Sequence, residues 1–166
     1  MRGREADCYD AVIEAPFARL GVIAAAAGLR RIDFLPESHA VYLPASAPAP
    51  VRRLAAALTA YWRDASQRFE LPLSYRSTDH QRRVWQALLK IPVGSTRTYG
   101  AIAAELGSSP RAVGQACGAN PLPILIPCHR AVAKNGHGGF MHQREGAALD
   151  YKLWLLEHES RYANAD

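Results

Sequence analysis

The sequence predicts an α+β protein. A small N-terminal domain of antiparallel sheet and one helix (residues 1–75) precedes a mainly helical domain with a winged-helix-like helix-turn-helix (residues 76–166). Three observations predict it. Short apolar runs broken by glycine and proline fill the first 35 residues. Apolar stripes of helical period dominate from Val51 onward. The charge is uneven: within a net +5, residues 1–75 carry nine basic and eight acidic side chains, residues 76–144 carry nine basic against Asp79 and Glu105, and residues 145–166 return −3. A basic middle segment suits a polyanion-binding surface, although a merely solvated basic face would give the same counts.

Residues 10–14 and 21–24 read as strands around a turn at Pro16, and Gly28 punctuates before a third strand at 32–35. Residues 36–50 hold four prolines and read as a loop. Residues 51–66 follow as a helix with Leu54, Leu58, Tyr61 and Trp62 on one face. Its Arg52-Arg53 pair reads as a solvated face, and the whole first half as a support without a chemical motif. Residues 71–74 read as a linker. Asp79 is then a candidate cap for a helix running to Lys90, with Val84, Trp85, Leu88 and Leu89 as its stripe and Pro92 and Gly94 beyond its end.

Residues 98–106 read as a helix stopped by Gly107. Ser109 caps a second helix with Pro110 in its first turn, the favoured proline position. The pair is a helix-turn-helix candidate. Ala112, Gly114, Ala116, Gly118 and Ala119 leave the second helix almost bare, although each helical glycine costs roughly 1 kcal/mol relative to alanine. Either another element packs closely there or the helix enters a narrow space such as a minor groove. Arg111 projects from its first turn. The last helix, residues 149–159, repeats Leu149, Leu153 and Leu156 with Trp154 beside them.

Three cysteines form no CxxC pair, and the six histidines show no metal-ligand spacing, so the expectation is no metal. Reduced thiols imply a cytoplasmic protein. The charged N-terminus lacks a signal core, and the longest apolar run, residues 20–29, is too short to span a bilayer. The glycine-rich stretch from Lys134 to Phe140 lacks the lysine spacing of a P-loop.

Chemistry concentrates at residues 120–130, Asn-Pro-Leu-Pro-Ile-Leu-Ile-Pro-Cys-His-Arg. Its prolines forbid a long helix or an ordinary central strand. The run delivers the Cys128 thiol beside His129 and Arg130. An unperturbed thiol is only a few per cent thiolate near neutrality, and a neighbouring base or cation raises that fraction. Adjacent side chains diverge, so contact between Cys128 and His129 needs an irregular turn or an intervening water. Taken alone, a Cys-His pair is more often a packed thiol than a nucleophile.

The motif Pro127-Cys128-His129-Arg130, preceded by Asn120-Pro121 and followed by the closing run Trp154-Leu155-Leu156-Glu157-His158-Glu159, resembles the active-site signature of the O6-alkylguanine-DNA alkyltransferases. The match extends from about Gln81 to Glu159. The resemblance implies that Cys128 accepts the alkyl group and that His129 acts as general base, with Glu159 stabilising its imidazolium. It implies that Tyr99 donates a proton to the leaving guanine and that Asn120 braces the turn. It implies that Arg111 replaces the extruded base in the stack, with Arg97, Ala112, Gly114, Gln115 and Arg130 completing the DNA-binding set. Arg130 also reads as a structural or charge-setting residue. Phe140 with Glu145, Gly146, Ala147 and Ala148 would form the substrate loop.

The implied function is single-turnover transfer of an alkyl group from O6-alkylguanine to Cys128 after base flipping, with O4-alkylthymine a further candidate substrate. No metal or cofactor is required. The implied partner is double-stranded DNA carrying the lesion, bound by a monomer, with cooperativity along DNA left open. Three departures bear on substrate range and packing. The interval from nucleophile to terminal tryptophan is long, the family's Tyr-x-Gly-Gly-Leu gives way to Glu145-Gly146-Ala147-Ala148-Leu149, and His80 stands where a phenylalanine is usual. Competing functions are an alkyl-lesion sensor without transfer, a Cys-His hydrolase, and a transcription factor that would leave the thiol idle.

Overall fold

The structure, a computed structural model, describes residues 8–163; the charged N-terminal segment discussed above falls outside the described residues. Strands β1 (Ala11–Glu14), β2 (Arg19–Ala25) and β3 (Gly28–Leu35) form an antiparallel sheet in that order. Alternation buries Leu20, Val22, Leu29 and Ile32 beneath helix α1 (Ala49–Arg63), whose Val51, Leu54, Leu58 and Tyr61 face them. Helix α1 starts two residues earlier than the sequence predicts, because Pro50 falls inside its first turn, where a missing N–H is harmless.

Both sheet edges are covered, which the sequence does not predict. On one, Val12 and Tyr42 exchange backbone hydrogen bonds of 2.9 and 3.0 Å, so the proline-rich loop is pinned midway. On the other, the Leu29 N–H donates to the Pro72 carbonyl at 2.9 Å and the Ser74 N–H donates to the Leu29 carbonyl at 2.7 Å. The segment read as a linker is therefore bridged to β3. Gly28, at φ +150°, permits this: any side chain there would run into the Pro72 carbonyl.

Helix α2 (Asp79–Leu89) is capped by Thr78, not Asp79. The Thr78 hydroxyl accepts from the Gln81 N–H at 3.1 Å, and the Gln81 side chain accepts from the Thr78 N–H at 3.0 Å. A reciprocal pair satisfies two end groups at once, which leaves Asp79 in the first turn where its charge suits the helix dipole. Two-residue strand β4 (Arg97–Thr98) leads into α3 (Tyr99–Leu106), and Gly107 ends that helix at φ 64°. Helix α4 (Pro110–Gly118) is capped by Ser109, as its sequence predicts. Strand β4 pairs in parallel with β5 (Ala131–Val132), so the residues just before Tyr99 are tied to those just after the Cys-His-Arg turn.

Helix α5 (Ala147–Ser160) closes the chain with a buried face different from the predicted one. Leu149, Leu153 and Leu156 are only partly buried, whereas Ala148, Lys152, Leu155 and Glu159 are buried. Spacings of four, three and four residues put that second set on one side of the helix. Phe17 holds this helix to the sheet, with ring centroids 4.8 Å from Trp154, 5.3 Å from Tyr151 and 5.9 Å from Trp62. The core continues without a break from Ala11 to Leu155.

Candidate active site and DNA-facing surface

The nucleophile stands on a strut that backbone bonds and one amide fold back on itself. Asn120 Nδ2 donates to the Ile126 carbonyl at 2.7 Å, while its Oδ1 accepts from the Leu122 N–H at 2.9 Å. The Ile126 N–H donates to the Leu122 carbonyl, and the Cys128 N–H to the Ile126 carbonyl. Ile124 is held at φ 76°, a costly conformation for a β-branched residue, and its side chain is buried. Ile32 of β3 donates to the Pro121 carbonyl at 2.9 Å, so the N-terminal sheet also steadies the strut. Cys128, His129 and Arg130 form one 3-10 turn, and the first two are buried.

Behind the sulfur lies a dense carboxylate network. Glu159 Oε1 accepts from the His129 ring Nε2, from Tyr61 Oη and from Arg130 Nη2, each at 2.8 Å, and Oε2 accepts from Arg130 Nε at 2.8 Å. Arg130 completes its set on the Ile91 carbonyl at 2.7 Å. Burial alone would raise the Glu159 carboxyl, but His129 and Arg130 outweigh it and hold the group well below the usual carboxylate range. Burial lowers the His129 pKa against the pull of Glu159, so the imidazole rests neutral near pH 7. With Nε2–H committed to an ionised Glu159, Nδ1 is the basic atom, and it has no hydrogen-bond partner among the described residues.

Of the two readings of Arg130, the structure contradicts membership of the DNA-binding set and agrees with the structural, charge-setting one, since its side chain turns inward and directs its donors to Glu159 and Ile91. A guanidinium neutralised in this way has little left to offer a phosphate. Tyr61, on the half of the chain read as a support, is a member of the same network.

In front of the sulfur opens a cavity of about 650 Å³. Tyr99 and Cys117 line its depth with Cys128. Arg111, Gly114, Gln115 and Gly118 of α4 form one wall, and residues 139–144 form the other. Glu145 to Ala148, predicted as substrate loop, do not line it; Ala147 and Ala148 open α5, and only Phe140 of the predicted loop reaches the cavity. The wall instead includes Met141 and His142, both at positive φ, and the exposed Gln143 and Arg144. The bareness of α4 has two separate reasons. At Gly118 a side chain would collide with the His142 imidazole, whereas Gly114 faces open space beside the exposed Arg111 and Gln115. Ala112 flanks that surface without lining the cavity. Arg97 is half-buried and paired to Glu105 at 2.6 Å, so its charge is partly satisfied within the protein.

One buried cation was not predicted. Lys152 Nζ donates to the Ala131 carbonyl at 2.7 Å, the Gly139 carbonyl at 2.9 Å and Tyr99 Oη at 3.3 Å. The signal was available, since Lys152 stands two helical turns before Glu159 on the same face. Burial pushes the Cys128 thiol up to about 11, against the opposing influence of the Asn120 amide and the Lys152 charge. Among the described residues no group of histidine, cysteine or carboxylate side chains could hold a metal ion, and no helix is long and apolar enough to cross a membrane.

The chain that carries this site resembles known proteins in sequence and in fold. The model of the 6-O-methylguanine DNA methyltransferase DNA-binding domain matches residues 79–161. A methylated-DNA–protein-cysteine methyltransferase of Methanosarcina barkeri is 37% identical over 157 residues, covering 91% of this chain and 96% of that one. The chain belongs to the 6-O-methylguanine DNA methyltransferase family. The methylated-DNA–protein-cysteine methyltransferase of Mycobacterium tuberculosis is 44% identical over 112 residues, an alignment spanning 66% of this chain and 65% of that protein's length. The crystal structure of an O6-methylguanine methyltransferase from that organism superposes with a TM-score of 0.74 at 34% identity, covering 93% of this chain and 94% of that one. A structure of the same organism's protein in complex with DNA gives a TM-score of 0.71. Family members therefore share the mixed α+β fold described above, which agrees with the fold class the sequence predicts.

Proposed function

We propose that this family member repairs DNA by moving an alkyl group from guanine O6 onto its own Cys128, once per molecule. The observation that carries the reading is the joining of His129 to an ionised, buried Glu159 directly behind a thiol that opens into a cavity under a helix-turn-helix. His129 Nδ1 takes the thiol proton, through water, and Glu159 holds the resulting imidazolium. The thiolate attacks the alkyl carbon in line. The departing purine receives a proton at a ring nitrogen from Tyr99. A thioether results, which water does not cleave, so each molecule acts once.

The O6 of a stacked guanine is out of reach of a buried sulfur, so the base must leave the duplex. The exposed Arg111 lines the cavity, which supports assigning it the task of filling the vacated stack. Gly114 and Gln115 complete the smooth face that approaches the groove, and double-stranded DNA carrying O6-alkylguanine is the partner, with O4-alkylthymine as a second candidate substrate. The cytoplasm suits the free thiols, and the protein needs no cofactor for this chemistry. A lesion sensor would use the same cavity and leave Cys128 unmodified.

A duplex with methyl-labelled O6-methylguanine separates these readings. The label moves to the Cys128 peptide in the transferase, and Cys128→Ala binds the duplex but takes up none. Binding without label in the wild-type protein would leave the sensor. Arg111→Ala is expected to slow reaction with duplex roughly tenfold or more, on the scale of the unstacking cost, while reaction with free O6-benzylguanine stays near the wild-type rate. Equal losses on both substrates would remove Arg111 from base extrusion.

A further inference from the structure

Helix α2 meets the helix-turn-helix at one end and the catalytic turn at the other. His80 Nε2 lies 2.7 Å from the Ser108 hydroxyl, in the turn between α3 and α4, and Arg83 Nη2 donates to the Leu106 carbonyl at 2.7 Å. Three residues apart, these two side chains leave the same face of α2. Further along, the buried Trp85 indole N–H donates to the Ala116 carbonyl at 2.9 Å. Just past the last turn, the Ile91 carbonyl accepts from Arg130 Nη1 at 2.7 Å, and Arg130 in turn holds Glu159.

We propose that His80 and Arg83 are positioning residues for base capture: they hold the helix-turn-helix in register with Cys128, so that a base displaced at Arg111 arrives at the thiol. The inference rests on the alkyl-transfer reading above and concerns two side chains that do not line the cavity.

Each bond closes a group that the helices leave open. Leu106 and Ala116 lie in the last turns of α3 and α4, where carbonyls lack a partner within the helix. The turn between them is internally fixed, because the Ser108 N–H donates to the Ala103 carbonyl at 2.9 Å and Ser109 Oγ accepts from the Ala112 N–H at 3.2 Å. What remains is the angle of that turn on α2, and the His80 and Arg83 bonds set it two residues before Arg111. A rise of 1.5 Å per residue places the two ends of α2 about 16 Å apart. A small rotation at the turn therefore moves Arg111 relative to the sulfur, and a displacement of about 1 Å is enough to cost about 100-fold in rate. The phenylalanine usual in the family at position 80 packs without direction, whereas an imidazole bonded to a hydroxyl fixes both distance and angle.

Three measurements on the full-length protein separate register from simple packing: single-turnover methyl transfer from an O6-methylguanine duplex, alkylation by free O6-benzylguanine, and affinity for the lesion duplex across a salt series. His80→Phe keeps an aromatic ring and removes the bond, so transfer from duplex is expected to slow about fivefold, and about 20-fold when combined with Arg83→Met. Reaction with the free base, which needs no helix-turn-helix, should stay within about twofold of wild type. His80→Gln places an amide where Nε2 lies and should restore the duplex rate. Melting curves identify any variant that does not fold, and the ratio of the two rates within a folded variant carries the result. Full duplex activity in His80→Phe, equal losses on duplex and free base, or equal losses in His80→Phe and His80→Gln would overturn the positioning role of His80 while leaving alkyl transfer intact. A fall of about one in the slope of log affinity against log salt for Arg83→Met would make Arg83 a phosphate contact and overturn its share of the proposal. A wild-type protein that never labels Cys128 would overturn the alkyl-transfer reading itself.

Discussion

Two polar networks flank the same sulfur, and they are built to opposite standards. Behind Cys128, one carboxylate receives four hydrogen bonds of 2.8 Å from three side chains, two on the Cys-His-Arg turn and one on helix α1. In front, Tyr99 is held by contacts of 3.3 Å to Gly139 and Lys152, beside a wall that includes Met141 and His142 at positive φ. The difference follows from what each side does. A base that must keep one tautomer gains from being over-determined. A pocket that must admit and release a nucleobase cannot be closed by short bonds before the base arrives. Charge-assisted bonds in a dry interior therefore fix the rear network, and the front network remains adjustable.

The sharpest way to break this comparison is at the rear. Glu159→Gln leaves the Arg130 guanidinium buried without its counter-charge, which is expected to cost about 3–5 kcal/mol of stability. Transfer should also slow by at least about 100-fold, because the imidazolium loses its partner. Urea unfolding and single-turnover methyl transfer measure the two effects. At the front, Tyr99→Phe should slow transfer by a similar factor while stability changes by less than about 1 kcal/mol, since its hydrogen bonds are long and part-exposed. Comparable unfolding midpoints for the two variants would contradict the distinction. A smaller effect comes from Tyr61→Phe, which removes one donor to a charged acceptor and should cost about 2 kcal/mol, with modest loss of transfer.

Acid titration sharpens the same contrast. The folded-state pKa of Glu159 lies below its unfolded value, so its contribution is fully present above the unfolded carboxylate pKa of about 4.3. That contribution falls away as pH drops from there toward the folded value. The wild-type protein should lose stability steeply below about pH 5, and Glu159→Gln should show a shallower decline. Parallel curves would mean that the rear network is not the acid-sensitive element.

How much of this was legible beforehand depended on which force fixed each part. Helices α3 and α4 are announced by local chemistry, namely Gly107, Ser109 and Pro110, and the structure places them accordingly. The strut is announced by its prolines. The cap of α2 was misplaced by one residue because Thr78 and Asp79 are both good caps, and only the reciprocal bond to Gln81 decides between them. The inward face of α1 is legible in its stripe of Leu54, Leu58 and Tyr61, whereas the inward face of α5 is not. Lys152 and Glu159 look like solvent-side residues in any scale of hydrophobicity, and their burial depends on partners such as the Ala131 and Gly139 carbonyls, Arg130 and Tyr61, which are distant in sequence. Likewise, the family pattern taken by position puts the cavity wall at Phe140 and Glu145 to Ala148, of which only Phe140 lines it. The longer interval shifts that wall to residues 139–144 and gives Ala147 and Ala148 to the helix.

Consumption of Cys128 is the event on which the proposed repair reaction depends. Intact-protein mass after incubation with excess O6-methylguanine duplex, read alongside the number of lesions lost, measures this most directly. One added methylene per chain, located on Cys128, with lesion loss ending at one per protein molecule, is the predicted result. Continued repair beyond that ratio, or a chain of unchanged mass after lesions have disappeared, would contradict it.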